Sequence, residues 1–244
     1  MANHRLRGAM TAAGFTNSRL AECLSVDGKT VERWITQGRQ PHPSTRAHIS
    51  KLLGHEETYL WPGLLIGGRS AETSRSEVVQ MWAARADVPH EIWRALMRQA
   101  NETIEILVYS GGFLVESLGF VDIVTEKARA GAQIRVLLGD PDSEAVRERG
   151  HAEGLPTLPQ RCKSTAEYLA DCLKLPEVSL RIHDTPLYTS IYRFDDNMLV
   201  NTHVYGAYAA RAPVQHLQRI PGGRLFTLYA DSFEQVWATG RPVV

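Results

Sequence analysis

Apolar residues in the first fifty positions recur at helical rather than strand spacing. Leu20, Ala21 and Leu24 follow Thr16 at i, i+1 and i+4, Ser25-Val26-Asp27 breaks the period, and Val31 and Trp34 resume it three residues apart. Thr16 is an N-cap residue and Gly38 a helix-ending one, so two short helices around a tight turn are predicted. Pro41 and Pro43 then interrupt the chain before Ile49, Leu52 and Leu53 mark a further helix over 45–53.

The pattern changes character between His55 and Ala100. Trp61-Pro62-Gly63, Gly67-Gly68 and a Ser/Thr/Arg stretch over 69–76 read as a connector. Beyond it Val78, Val79, Met81 and Trp82, then Ile92, Trp93, Leu96 and Met97, recur at helical spacing and predict two helices whose aromatic and methionine stripe is core. From Thr103 the period shortens. The continuous apolar run TIEILVYS, the Gly111-Gly112 pair, a helical stretch to Ala130 and the run QIRVLL compose a βαβ unit. Its parallel pairing puts Tyr109, Ser110, Gly111, Asp140 and Asp142 at the carboxyl ends of strands, where open α/β sheets bind ligands. Gly111-Gly112 lacks the GxGxxG or Walker spacing of a phosphate loop and reads as a tight turn. A helix over 164–173, strands over 178–183, 187–194 and 198–204, a segment over 213–220 and a helix over 232–237 complete the pattern.

Composition adds little until it is divided along the chain. The 244 residues are 43% hydrophobic and 22% charged with a formal net charge of zero, which excludes wholesale disorder. Through Leu53, however, eight basic residues face three acidic ones, a charge of +5, and the remainder carries −5. A basic head on an acidic body is expected when one segment meets nucleic acid and the other does not. No apolar run approaches the ~20 residues of a membrane span, and MANHRLRGAM has no apolar signal core, so a cytoplasmic protein without membrane partners is expected. Cys23, Cys162 and Cys172 have no disulfide or zinc spacing and read as small buried apolar residues; neither a metal nor another cofactor is implied.

Leu20-Ala21, Leu24, Val26, Thr30-Val31, Arg33-Trp34, Gly38 and Ile49 together resemble the helix-turn-helix of the phage-repressor/Cro-like (XRE-type) transcriptional regulators. That resemblance implies that a small Ala21 lets two helices cross closely, Val26 fills the turn, and Val31 and Trp34 anchor a recognition helix. Asp27, Gly28, Lys29, Thr30, Glu32 and Arg33 are left to face the major groove, while Arg19, Arg39 and Arg46 reach phosphates. Gly28 departs from the pattern: it weakens the first turn of the helix but leaves backbone N–H groups open to a phosphate.

Further along, RIHDTPLYTSIYRFDDNMLVNTHVYG, with ILVYSGGFLVESL and AQIRVLLGDPDSEAV upstream, resembles the phospholipase-D-like domain that follows a Cro-like head in actinobacterial regulators. The resemblance covers roughly 78–237. Active members of that family carry HxKxxxxD, with the histidine as phosphoryl nucleophile and the lysine on phosphate oxygens. Aligning the aspartate with Asp195 puts Tyr188 at the histidine position and Ser190 at the lysine position, and puts His203 where a small polar residue stands. The usual catalytic pair is therefore missing, and His183 and His203 lack a lysine two residues on.

The fold expected is an all-α helix-turn-helix head over 1–68, a linker over 69–77, and an α/β phospholipase-D-like domain with a mixed sheet over 78–244 for effector binding and dimerisation. Strand alternation puts Tyr188, Ser190 and Tyr192 on one face. Tyr109, Ser110, Tyr188, Ser190, Asp195, Asn201 and His203 are thus expected to line one polar pocket. With no lysine to balance a phosphate, a neutral, hydroxyl-rich metabolite is favoured as its ligand unless Arg135 or Arg193 turns inward. The function expected is a ligand-responsive, homodimeric regulator of a palindromic double-stranded DNA operator, associated with the nucleoid when bound. The competing readings are a DNA-directed phospholipase-D-type nuclease or phosphodiesterase and a constitutive dimeric DNA-binding scaffold.

Overall fold

A computed structural model describes residues 2–64 and 75–243. The chain divides into two compact units, 1–71 and 72–244. Most of the linker expected from the sequence lies outside the described residues.

The first unit is helical: α1 (His4–Ala12), α2 (Asn17–Leu24), α3 (Gly28–Thr36), α4 (Pro43–Leu53) and the single turn α5 (Glu57–Leu60). Local chemistry sets the ends. Asn3 Oδ1 accepts the Leu6 N–H at 2.9 Å, Thr16 Oγ1 accepts the Arg19 N–H at 3.2 Å, and Asp27 Oδ1 accepts the Lys29 N–H at 2.7 Å, each satisfying a donor that the first helical turn cannot. Pro43 opens α4 where its missing N–H costs nothing, and Gly54 closes it in the left-handed region. Leu6, Leu20, Val31, Ile49 and Leu60 are wholly buried, with Ala21, Trp34, Ile35 and Trp61 nearly so. The spacing at Leu20, Ala21, Val31, Trp34 and Ile49 thus marks the core face. Asn3 Nδ2 donates to Leu60 O at 2.9 Å and ties the start of the unit to its end.

The second unit is an eight-stranded mixed sheet between two layers of helices. Its strands are β1 (Val78–Trp82), β2 (Thr103–Leu107), β3 (Gln133–Gly139), β4 (Val178–His183), β5 (Thr189–Phe194), β6 (Asn197–Thr202), β7 (Val214–Gln218) and β8 (Arg241–Pro242), in the order β1-β7-β6-β5-β2-β3-β4-β8. β2, β3 and β4 are parallel, and every other pairing is antiparallel. Helices α6 (His90–Gln99), α7 (Gly112–Ser117) and α8 (Phe120–Arg129) cover one face through Trp93, Met97, Leu114, Phe120 and Val124. The other face is covered by α9 (Glu144–Ala152), α10 (Leu158–Leu169) and α11 (Leu225–Thr239) through Val146, Leu158, Phe226 and Phe233. Each such fully buried side chain stabilises the fold by about 1.5–3 kcal/mol. Among the described residues no helix is long and apolar enough to cross a membrane.

The sequence expectation fails at 78–82. These residues form an edge strand paired with β7, not a helix, and leave Val79 and Met81 exposed. Five residues with apolar positions at i, i+1, i+3 and i+4 suit a helix by spacing alone; the strand exists because β7, more than a hundred residues downstream, supplies its hydrogen bonds. Cys162 and Cys172 are buried as expected, whereas Cys23 is exposed.

Two carboxylates organise this unit. Glu77, with no exposed surface, accepts the N–H groups of Arg224, Leu225 and Phe226 at 3.0, 2.9 and 2.9 Å and caps α11. Glu105, on β2 and 2% exposed, accepts Arg135 Nε at 3.1 Å and Arg193 Nη1 at 2.9 Å, and Arg135 Nη1 reaches Glu234 of α11 at 3.0 Å. Arg135 and Arg193 are therefore committed to the α11 face of the sheet.

Candidate functional site

On the first unit, α2 and α3 flank the turn Ser25-Val26-Asp27, which is made by Ser25 in the left-handed region at φ 54°. Val31, Trp34 and Ile35 turn inward, so Lys29, Glu32 and Arg33 project from the opposite side of α3, while Gly28 and Thr30 are half-buried. Asp27 is exposed, but its carboxylate caps the helix it precedes. Arg19 is exposed with its guanidinium 5.4 Å from the Phe15 ring centre, and Arg39 is exposed just past α3. Arg46 differs from the other basic residues in this set: its Nε pairs with Glu57 at 3.3 Å and its Nη1 donates to Pro41 O at 2.9 Å, which spends it on joining α4 to α5.

On the second unit, a cavity of about 420 Å³ opens beyond the carboxyl end of β2. Five segments build it. Tyr109 and Ser110 follow β2, and Gly112 and Phe113 start α7. Arg149 and Glu153 come from the end of α9, Arg161 from α10, and Ser190 and Tyr192 from β5. His203 and the 3-10 turn Ala209–Arg211 close one side, and that turn is fastened to the 3-10 turn Arg85–Asp87 by Arg85 N–H donating to Ala212 O at 2.9 Å. The sharp approach of α9 and α10 requires Gly150, because a Cβ there would stand 2.8 Å from Leu155 O.

Four of the seven expected pocket residues line this cavity: Tyr109, Ser110, Ser190 and His203. The other three do not. Tyr188 lies before β5 begins and is 85% exposed, so strand alternation does not extend to it. Asp195 sits in the β5–β6 turn at φ 51°, at the far end of β5, and accepts the N–H groups of Asn101, Glu102 and Thr103 at 2.8, 3.0 and 2.7 Å. Asn201 is wholly buried opposite Ser190 in the ladder, with Nδ2 donating to Ala212 O and Pro213 O, both at 3.1 Å. The aligned aspartate and tyrosine are thus a turn anchor and a surface side chain.

Ser190 and His203 form the polar floor. Ser190 Oγ and His203 Nε2 are 2.9 Å apart, and His203 Nδ1 is 3.0 Å from Leu187 O. A carbonyl only accepts, so Nδ1 carries the proton and Nε2 accepts from the serine hydroxyl. Burial, aided by the charge of Arg149, pushes His203 down to about 4. Tyr109 lies beside it with rings 5.9 Å apart, and its hydroxyl accepts the Leu187 N–H at 2.8 Å. Burial raises the Tyr192 phenol, against the pull of Arg85 and of hydrogen bonding with Ser190. The serine–histidine pair has the reach of a nucleophile and base, but a histidine held near 4 is a weak base at neutral pH. His183, the other histidine considered, is buried outside this cavity with its Nε2 donating to Val108 O at 3.1 Å.

The expectation that the pocket lacks counter-charge is overturned. Arg85, Arg149, Arg161 and Arg211 line the cavity against Glu116 and Glu153, leaving a surplus of two positive charges. Arg149 pairs with Glu153, and Arg85 lies 3.7 Å over the Phe113 ring; the Nε of each is buried with no acceptor among the described residues. Arg161 and Arg211 make no ion pair among the described residues. Sequence reasoning missed these four because they stand on four elements with no common spacing. Among the described residues no cluster of three or more His, Cys, Asp or Glu is arranged to hold a metal.

No protein-family model matches the chain, and no curated protein matches it. Among solved structures it is similar to TrmBL2, an archaeal chromatin protein described with a novel mode of DNA binding, at 16% identity and a TM-score of 0.46 over 89% of this chain and 72% of that one. It is also similar to Nuc from Salmonella typhimurium, a phospholipase D family member, at 14% identity and a TM-score of 0.42 over 63% of this chain and 90% of that one. Both likenesses are remote.

Proposed function

We propose that the chain is a ligand-responsive, sequence-specific DNA-binding transcriptional regulator. Its head is read as an XRE-type helix-turn-helix and its body as a catalytically inactive phospholipase-D-like sensor of a small polar molecule. The observation that carries this reading is α3: its apolar side is buried, and its other side offers Lys29, Glu32 and Arg33 in a segment of charge +5. An α-helix so presented fits the major groove, with Lys29, Thr30, Glu32 and Arg33 near base edges and Arg19 and Arg39 on phosphates. Gly28 has open space where a side chain would stand, and Asp27 acts through its cap. Because one short helix covers few base pairs, the reading includes a homodimer on a palindromic operator, with half-sites about one helical turn apart.

An enzymatic reading is disfavoured by the residues themselves: Tyr188 and Ser190 stand where the resembled family carries its histidine and lysine, and burial pushes down His203, the base within reach of Ser190. Selection of DNA from a random pool, followed by affinity measurements across salt concentrations, tests the proposal. Arg33→Ala is expected to alter base preference at about 1–3 kcal/mol, and Arg39→Ala to weaken all sequences and flatten the salt dependence. A full chain that enriches no sequence and binds DNA without salt dependence would sink the reading. Light scattering that finds only monomers, with and without DNA, would remove the dimer.

A further inference from the structure

We propose that the cavity of the second unit is a site for a phosphomonoester, a dianionic phosphate carried on a small hydroxylated body. This rests on the reading of that cavity as a ligand site and names the ligand's charge. Three observations converge. The four arginines come from four separate elements and meet around one space, with a surplus of two positive charges that a dianion neutralises. Two of them, Arg161 and Arg211, are exposed and make no ion pair among the described residues, so an anion meets no competing carboxylate on their guanidinium groups. The Glu153 carboxylate is already taken by Arg149, so only the exposed Glu116 offsets Arg85, Arg161 and Arg211.

The rest of the lining selects the body of the molecule. Ser190 donates its proton to His203 and keeps lone pairs for a ligand hydroxyl, and the Tyr192 hydroxyl lies beside it. Phe113 and Tyr208 add aromatic surface that carries Arg85 and Arg211. A volume of about 420 Å³ holds a small metabolite and excludes a nucleic-acid duplex.

The test is calorimetry and thermal unfolding of the full chain with four probes: inorganic phosphate, glucose 6-phosphate, glucose, and a dinucleoside monophosphate. Inorganic phosphate and glucose 6-phosphate are both expected to bind and to raise the melting temperature, since a ligand of the native state stabilises it; glucose is expected to do neither. Arg161→Gln and Arg211→Gln, at exposed positions, are expected to weaken glucose 6-phosphate at least tenfold while leaving the ligand-free melting temperature in place. Glucose binding as well as its phosphate, or variants that bind glucose 6-phosphate as the wild type does, would overturn the proposal. So would tighter binding of the dinucleoside monophosphate, which would assign the cavity to a nucleic-acid strand. Phosphate binding that leaves DNA affinity unchanged supports the site and counts against the regulator. A DNA affinity that responds to a metabolite pool while no phosphate probe binds overturns the site and spares the regulator.

Discussion

The second unit holds two sets of arginines that differ in the carboxylates that face them. On the α11 face, Arg135 and Arg193 close on Glu105 and Glu234. In the cavity, only Arg149 is paired; Arg85, Arg161 and Arg211 have no carboxylate among the described residues. Arginine on a half-buried surface is stable when matched, so the first set reads as scaffold; an unmatched set gathered at one space reads as recognition. The same residue type thus has two meanings, and the acid count around it distinguishes them.

The sharpest way to break that comparison is to remove the scaffold's acid. Glu105→Ala is expected to cost about 3–5 kcal/mol, because it leaves Arg193 with no carboxylate and Arg135 with Glu234 alone. Urea unfolding measures it, and a loss near that of a surface substitution would show that Arg135 and Arg193 are as free as the cavity set.

Acid probes the cavity side. The ordinary histidine value is 6.5 and His203 is held at about 4, so on acidification the unfolded chain takes up this proton first. Stability from this group is whole above pH 6.5, falls as the pH drops, and is lost by about pH 4, a difference of about 3 kcal/mol. His183 is also pushed down by burial and acts in the same direction. Comparing unfolding at pH 7.5 and 4.5 in wild type and His203→Gln isolates the His203 share, which is absent if the two slopes coincide.

Smaller effects follow. Tyr109→Phe removes the acceptor of the Leu187 N–H and is expected to cost about 1 kcal/mol by chemical denaturation. Arg161→Gln is expected to stay within about 0.5 kcal/mol of wild type. If its loss instead matched that of Glu105→Ala, the division between matched and unmatched arginines would fail.

The legible parts of the molecule are those where local chemistry and burial agree. Thr16 and Gly38 mark helix ends by local chemistry, and the inward positions of α2 and α3 follow from the 3.6-residue period. The βαβ unit is legible for the same reason, as are β4, β5 and β6 to within a few residues. What escapes depends on distant partners. Val78 to Trp82 is a strand only because of β7, Glu77 is buried only because α11 begins on it, and Tyr188 falls in the pocket only if an alternation is extended past the first residue of β5. The arginines at 85, 149, 161 and 211 share no local spacing and meet only when the sheet, α9, α10 and the two 3-10 turns are assembled.

One consequence of the 3-10 turn that carries Arg85 concerns connectivity. The described chain of the second unit runs from the cap at Glu77 through β1, an edge strand with an irregular register between Val78 and Gln80, directly into that turn. Among the described residues its neighbouring strand is β7, and the turn itself is fastened to Ala212. The wall of the cavity and the capped edge of the sheet are therefore one continuous segment, eight positions from Glu77 to Arg85.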